Sequence, residues 1–272
     1  MPQGDHDPVL SEPPSEWTVW QLIDSAFPTG GFAHSGGLEA AWKHGEVRNR
    51  SEFEGFLETS LNQWAHATFP FASTAHKEPS RLYELDTHCD AFNTNHVANR
   101  ASRLQGRAWI AAIDKVFELD IFAIVHPAGG TLDPGMESIS KPTARNRNGS
   151  ANGKAVPPAW TLKDLRGSSA NSFCGHFSPI FGATVAGLGT EKRAALRMLL
   201  FMNLRSLIAA AVRLGISGPM EGQILQNTMG KRAEEILRRC ENLSLDELAE
   251  TAPLANLWQA NQDRLYSRLF RS

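Results

Sequence analysis

The chain has 272 residues, 42% of them hydrophobic, which is enough apolar material to bury one sizeable core. Because 27 basic residues nearly balance 29 acidic ones, the formal charge is −2 and no overall field draws the molecule to nucleic acid or to a membrane surface. Cys89, Cys174 and Cys240 are too far apart for a disulfide framework or a CxxC metal knuckle, which predicts a protein of a reducing compartment, the cytoplasm.

The N-terminal residues 1–16 contain neither a basic nor an apolar segment, so we expect a disordered leader and not a secretion signal. Helical spacing begins directly after this leader, with Trp17, Trp20 and Ile23 on one face. A stretch dense in glycine, "FPTGGFAHSGGLEAAW" at 27–42, then runs into the start of a further helix.

Most of the remaining chain reads as helices with one apolar face. Ser51 and Glu54 form a predicted capping box, and Thr190 is the predicted cap of a later apolar helix. Gly215 suits the end of that helix, and Pro219 suits the first turn of the next one. The helix after residue 95 has an apolar stripe formed by Val97, Ala101, Leu104, Ala108 and Ala112. Arginines interrupt the segment "AALRMLLFMNLRSLIAAAVRL", so we expect a core helix and not a membrane span.

The C-terminal part begins with another capping box, Ser244 with Glu247, and its last helix has an apolar stripe that reaches Leu265 and Leu269. Residues from about 126 to 171 are rich in Gly, Pro, Ser and Asn and lack apolar periodicity, which predicts a disordered insert. No run shows the period-two pattern of β-strands. The sequence therefore predicts an all-α fold of about eight to ten helices, with a single domain at 17–272 interrupted by the insert; two domains separated by the insert are the alternative.

The glycine-dense stretch lacks the cation of a nucleotide site. Gly31 and Gly36 have the spacing of a phosphate-binding loop, but Gly37 and Leu38 stand where its lysine and hydroxyl residue belong. Around Ser35, "AHSGG" is close to the GxSxG motif of a nucleophile elbow, although the residues before it have helical spacing. A small-molecule hydrolase with Ser35 and a histidine base therefore stays open beside a protein-binding surface.

Metal ligation is not predicted at any position, because the nine histidines form neither HxxxH nor HExxH. His34 and His176 are of interest because each lies in a turn rich in Gly or Pro before a helix. A hydrogen-bonded polar role explains them equally well, so the sequence assigns no catalytic residue, cofactor or metal ligand to the chain itself.

Five ordered blocks resemble the urease accessory protein F family. The blocks are "WQLIDSAFPTGGFAHSGGLEAAW", "NHVANRASRLQGRA", "HFSPIFGA", "RSLIAAAVRLGISGPMEGQ" and "LYSRLFRS". They lie within about 17–125 and 173–272, and the long spacer between them is similar to the fungal or plant branch of the family. Gly36 differs from many bacterial relatives, which have an aromatic residue there.

The resemblance implies an all-α protein with no catalysis of its own. Relatives assemble with urease accessory proteins D/H and G and with apo-urease, and they regulate GTP hydrolysis by the nickel-carrying protein G. On this resemblance, nickel and GTP are handled by the partner proteins, and a homodimer is expected within the complex.

The same resemblance assigns candidate partner-binding residues to the blocks. In the N-terminal motif they are Gly30, Gly31, Phe32, His34, Ser35, Gly37, Leu38 and Glu39. In the middle blocks they are Arg100, Arg103, Gln105, His176, Pro179, Phe181, Gly182, Arg205, Glu221 and Gln223, for each of which an ordinary structural role is the alternative. In the terminal block they are Tyr266, Arg268, Leu269 and Phe270.

The terminal block resembles a tail that docks on the D/H-type protein. We expect Tyr266 and Phe270 to form an (i, i+4) aromatic pair on the last helix, exposed for that partner. The alternative is that both rings pack against the chain's own core.

Overall fold

The computed structural model describes residues 16–119, 121 and 173–271, and this part of the chain contains α-helices and short 3₁₀ helices but no strand. The α-helices are α1 (Glu16–Ile23), α2 (Leu38–Lys43), α3 (Arg50–Lys77), α4 (Leu82–Phe92), α5 (His96–Phe117), α6 (Phe177–Gly187), α7 (Lys192–Leu214), α8 (Pro219–Cys240) and α9 (Pro253–Asn261). The predicted all-α class is confirmed. The predicted leader, except Glu16, and the predicted insert at about 126–171 lie outside the described residues.

Helix α3 is the centre of the fold and packs against α6, α7 and α8. Its apolar positions recur at helical spacing, so Phe53, Leu57, Leu61 and Phe69 are all fully buried in the core. Helix α7 packs against α8 and α3, and its buried residues include Leu199. By length and composition α7 is apolar enough to cross a membrane, but 56% of its most apolar window is buried inside the fold, as expected for a core helix.

Helix α6 is buried on every side because it lies between α3 and α5. It approaches α3 so closely that a Cβ placed on Gly182 would lie 2.2 Å from the carbonyl oxygen of Ala72. Only glycine permits this crossing distance. On the α5 side, Trp109 is fully buried, and its Nε1 donates a 2.8 Å hydrogen bond to Thr184 Oγ1.

The helix ends differ from the prediction at two caps. Helix α3 is capped by Asn49, whose side chain accepts from the N–H of Glu52 at 3.0 Å, and Ser51 lies inside the helix. The Glu191 carboxylate caps α7 by accepting from the N–H groups of Arg193 and Ala194, while Thr190 is buried one residue earlier. In both cases a side chain within two residues of the predicted cap supplies the oxygen that accepts from the first turn of the helix.

Other helix ends agree with the sequence. Gly215 ends α7 in the left-handed conformation, and Pro219 opens α8. The capping box of Ser244 and Glu247 is present, although it opens a 3₁₀ turn and not an α-helix. Leu104, predicted on the buried stripe of α5, is instead 41% exposed, because the buried face of this helix is formed by Val97, Ala101, Gly106, Trp109, Ala112 and Ile113.

The predicted last helix is too long. Helix α9 ends at Asn261, a 3₁₀ turn covers Gln262–Arg264, and residues from Leu265 onward are not helical. Leu265 and Leu269 therefore do not continue an apolar helical stripe, and the rings of Tyr266 and Phe270 do not lie side by side on a helix face, as an (i, i+4) pair would.

Candidate functional site

The N-terminal motif and the C-terminal tail meet in the folded chain, and this meeting point is the candidate functional site. The motif forms a 3₁₀ turn at Gly31–Ala33 followed by α2. Gly37 caps α2 with a φ of 88°, and a Cβ on it would lie 3.1 Å from the backbone nitrogen of Gln259 on α9. A glycine is needed here both for the left-handed backbone and for the close approach of α9.

Glu39 connects the motif to the tail. Its carboxylate is fully buried and accepts hydrogen bonds from Leu269 N (2.7 Å), Phe270 N (3.1 Å) and Gln262 Nε2 (2.6 Å), and Lys43 pairs with it at 3.2 Å. Burial by itself would raise the pKa of Glu39, but these donors together lower the pKa below its usual value. Glu39 is therefore ionised at neutral pH and is paired by the chain's own groups.

Phe270 is packed against the chain's own core, with 3% of its surface exposed. The guanidinium of Arg213 lies over the ring, 4.2 Å from its centre, and also donates to the carbonyl of Phe32 at 2.6 Å. Arg271 N donates to the carbonyl of Ala33 at 2.8 Å. The alternative of inward packing is thus correct for Phe270 and wrong for Tyr266, which is fully exposed.

We use the term motif–tail surface for the exposed side chains of Phe32, Tyr266, Arg268 and Leu269. Phe32 is 71% exposed and Leu269 is 52% exposed, although their backbones are fixed by Arg213 and Glu39. Large apolar groups that are held on a rigid backbone and face solvent are typical of protein-binding surfaces.

Charged residues border the motif–tail surface. Arg100 of α5 makes two hydrogen bonds to Asp263, at 3.0 and 2.9 Å, and Arg268 donates to the same carboxylate at 2.6 Å. The arginine partners, first through the hydrogen bond from Arg100, lower the pKa of Asp263. Arg103 and Gln105 are half-buried on α5.

His34 is a half-buried neighbour of this network. Burial, followed by the positive charges of Arg271 and Arg100, lowers the pKa of His34 to about 4. The imidazole is therefore neutral at physiological pH, and its protonation would place a charge beside two arginines.

The geometry at Ser35 does not favour the hydrolase alternative. The residues before Ser35 form a 3₁₀ turn, and no strand is present in the described part of the chain, whereas a nucleophile elbow requires a strand before the serine. Ser35 is fully buried, and its Oγ accepts from the N–H of Glu39 at 3.5 Å. Its position fits support for the start of α2.

Several other candidate residues are also inside the fold. Leu38, His176, Pro179, Phe181 and Gly182 are buried, so in this conformation they have no surface with which to contact a partner. Arg205 is half-buried, and its guanidinium donates to the carbonyl of Ile23 at the end of α1. At the surface, Glu221 lies 3.7 Å from Arg50, and Gln223 is exposed. Gly30 and Gly31 shape the 3₁₀ turn.

The residues that hold these elements together were not predicted from the sequence. Gln262 and Arg213 bind the tail, Asp263 binds Arg100, and Asp86 and Asp90 of α4 bind the segment before α6. The spacing of four residues between Asp86 and Asp90 indicated a shared helix face, but nothing local indicated what that face contacts.

Comparison with known proteins identifies the family. A family profile described as UreF matches residues 47–230. Urease accessory protein F of Arabidopsis thaliana is 33% identical over 270 residues, which cover 98% of this chain and 97% of that protein. The chain belongs to the urease accessory protein F family.

Other members of the urease accessory protein F family are similar over nearly the same length. Urease accessory protein F of Oryza sativa subsp. indica is 30% identical over 262 residues, with 94% of this chain and 85% of that protein covered. An uncharacterized UreF-like urease accessory protein of Schizosaccharomyces pombe is 26% identical over 255 residues, or 92% and 94% of the two chains. The resemblance seen in the sequence is confirmed.

Proposed function

We propose that this protein is the F-type member of a urease accessory complex and that it regulates the GTPase accessory protein G while nickel is inserted into apo-urease. The observation that carries the proposal is similarity to urease accessory protein F of Arabidopsis thaliana over 98% of this chain and 97% of that protein. In this proposal the protein is not an enzyme and binds accessory proteins D/H and G, as a homodimer, in the cytoplasm. Cys89, Cys174 and Cys240 form no disulfide with one another, which suits a reducing compartment.

The motif–tail surface is the proposed docking site for the D/H-type protein. Tyr266 and Leu269 are exposed on a tail whose backbone is already held by Glu39, so docking would bury apolar area without first ordering the segment. Arg268 is 42% exposed at the edge of the same surface, where it can donate to partner carbonyls or carboxylates.

Regulation of a GTPase does not require a nucleotide site in this chain. A protein that binds one conformation of a GTPase more tightly than another shifts the population between them, and that shift changes the rate of hydrolysis. The position of the phosphate-loop lysine is occupied by Gly37, which fits a protein that acts on the GTP site of its partner.

Co-purification with D/H-type and G-type accessory proteins, with and without GTP, tests the proposal. We expect one complex that contains all three proteins, and a rate of GTP hydrolysis by protein G that changes when this chain joins. The purified chain alone should hydrolyse neither GTP nor urea. Turnover of a small ester or amide that is lost in Ser35→Ala would instead support the hydrolase.

A further inference from the structure

Asp90, Cys174 and His176 form a cluster of three potential metal ligands outside the motif–tail surface. One ligand atom from each residue lies within 4.8 Å of the other two. Asp90 is on α4, and Cys174 and His176 are two residues apart in the non-helical segment that leads into α6. The sequence did not predict this site, because its ligands come from two segments that are distant along the chain.

The Asp90 carboxylate accepts a hydrogen bond from each of the other two side chains. His176 Nε2 lies 3.0 Å from Asp90 Oδ1, and the thiol of Cys174 is hydrogen-bonded to the same carboxylate. Asn99 Nδ2 donates to Asp90 Oδ1 at 2.9 Å and fixes the orientation of the carboxylate. A cation bound between the three side chains would take the place of the protons that now lie between Asp90 and His176 Nε2 and between Asp90 and the Cys174 sulfur.

The cluster is supported by a second set of contacts. The buried Asp86 carboxylate accepts from the N–H groups of Cys174, Gly175 and His176 at 2.5, 3.0 and 2.7 Å. His176 Nδ1 lies 3.1 Å from Ser102 Oγ. In metal sites, a partner on the second ring nitrogen of a histidine ligand fixes the ring and its tautomer, and Ser102 has that position here.

We propose that Asp90, Cys174 and His176 bind a divalent ion of the Co²⁺, Ni²⁺ and Zn²⁺ group. A thiolate and an imidazole favour these ions over Mg²⁺ and Ca²⁺, which prefer oxygen ligands. The thiolate and the carboxylate together balance the charge of the ion. The proposal does not depend on the proposed function.

Binding of the ion changes the protonation of Cys174 and the tautomer of His176. Cys174 releases its thiol proton to solvent when the sulfur binds the ion. The imidazole of His176 stays neutral but changes tautomer, so that Nε2 faces the ion and Nδ1–H donates to Ser102 Oγ. Ser102 Oγ also accepts from Phe177 N at 3.2 Å, and two lone pairs suffice for both donors. Binding therefore releases about one proton per ion.

The geometry requires only a small contraction. Ligand atoms around a tetrahedral ion of this group are separated by roughly 3.3 to 3.6 Å. Asp90 Oδ1 is already 3.0 Å from His176 Nε2, so the main adjustment is an approach of the Cys174 sulfur. Cys174 is half-buried and can move, whereas His176 is fully buried and fixed. The exposed side leaves a fourth position for water, which is typical of sites that exchange ligands.

Nearby charges act in both directions. The carboxylates of Asp86 and Asp90 attract a cation, whereas the guanidinium of Arg103 repels it.

Titration of the full chain with Co²⁺ tests the site directly. We expect the near-ultraviolet absorption band of a cobalt–thiolate bond, and we expect Cys174→Ser to abolish it. Asp90→Asn should keep the band and weaken binding by about 10-fold or more. The matched control is Cys240→Ser, because Cys240 lies 4.0 Å from a different histidine, His66, and its replacement should leave the band unchanged.

A second measurement uses the unmodified protein and does not depend on the folding of a variant. Co²⁺, Ni²⁺ and Zn²⁺, but not Mg²⁺, should protect Cys174 from alkylation, as read by peptide mass spectrometry. Calorimetry in buffers of different ionisation enthalpy should give about one proton released per ion. Absence of the thiolate band at saturating Co²⁺, a band that survives in Cys174→Ser, or equal alkylation with and without Co²⁺ would overturn the proposal.

Discussion

The carboxylate of Glu39 accepts the backbone N–H of Leu269 at 2.7 Å, although the two residues are 230 positions apart in the chain. This contact joins the first and last blocks of the family resemblance into one structure. It also explains why the motif needs an acid at this position, because the carboxylate is fully buried and is satisfied by donors from the tail.

Glu39→Gln should destabilise the protein and loosen the tail. The amide cannot form an ion pair with Lys43, and its NH₂ group would face one of the two backbone N–H groups from which Glu39 now accepts. This change costs roughly 2 to 3 kcal/mol of the free energy of unfolding. Urea denaturation measures this loss, and trypsin should cleave after Arg264 and Arg268 sooner than in the wild type. Glu46→Gln, at an exposed position on the loop after α2, is the matched control, and a loss no larger than in this control would contradict the role of Glu39.

Acid should weaken the fold in two steps. The folded-state pKa of His34 is about 4 and its ordinary value is 6.5, so between these values the unfolded chain binds the proton and stability falls as the pH decreases. The folded state lowers the pKa of the Glu39 carboxyl below its ordinary value of 4.5, so its contribution to stability is lost as the pH falls below 4.5.

Denaturation of His34→Gln against pH checks the first step. The variant should lose most of the decline between pH 6.5 and 4, which is on the order of 2 kcal/mol in the wild type. The exposed His44→Gln is the control and should keep the wild-type profile. An unchanged slope in His34→Gln would show that another group causes it.

Phe270→Ala should destabilise the protein itself. Removal of this buried ring leaves a cavity under Arg213 and should cost about 3 to 5 kcal/mol. Leu269→Ala, at the exposed neighbouring position, should change the free energy of unfolding by about 0.5 kcal/mol or less.

Because residues 266–272 include the buried Phe270, their removal should destabilise the fold as well. A helical, exposed tail would instead be removed with little loss of stability. Equal thermal melting of Phe270→Ala and Leu269→Ala would refute the buried position.

Gly182→Ala tests the crossing of α6 and α3. The new methyl group would meet the carbonyl of Ala72 at 2.2 Å, so the helices must separate, at a cost of about 3 kcal/mol. Gly230→Ala is the matched control in α8, where nothing lies within 4 Å of the added methyl group. It should stabilise the protein by about 0.5 to 1 kcal/mol, and opposite signs for the two variants in one denaturation series are the expected result.

The sequence was sufficient for the fold class and for most helices, because apolar periodicity and local signals such as Pro219 and Gly215 act within a few residues. The prediction was wrong for the tail, where the sequence indicated a continued helix. The apolar residues Leu265, Leu269 and Phe270 have helical spacing, but their backbone N–H groups at 269 and 270 are bound by Glu39, and this tertiary contact outweighs local propensity.

The candidate site could be located from the sequence only as separate blocks. The motif and the tail were each recognised, but their contact depends on Glu39, Gln262 and Arg213, whose pairing is set by the packing of α2, α7 and α9. For the same reason, burial could not be predicted for Ser35 or His176, which the sequence places in turns before helices and which lie fully inside the fold.

The affinity of the full chain for a D/H-type urease accessory protein is the most direct test of docking through the motif–tail surface. Tyr266→Ala and Phe32→Ala remove exposed rings from the motif–tail surface, so each should weaken binding by about 10-fold or more while the melting temperature stays unchanged. Trp17→Ala is the matched control, because Trp17 is an equally exposed ring on α1, outside that surface. Wild-type affinity in both Tyr266→Ala and Phe32→Ala would contradict docking through the motif–tail surface.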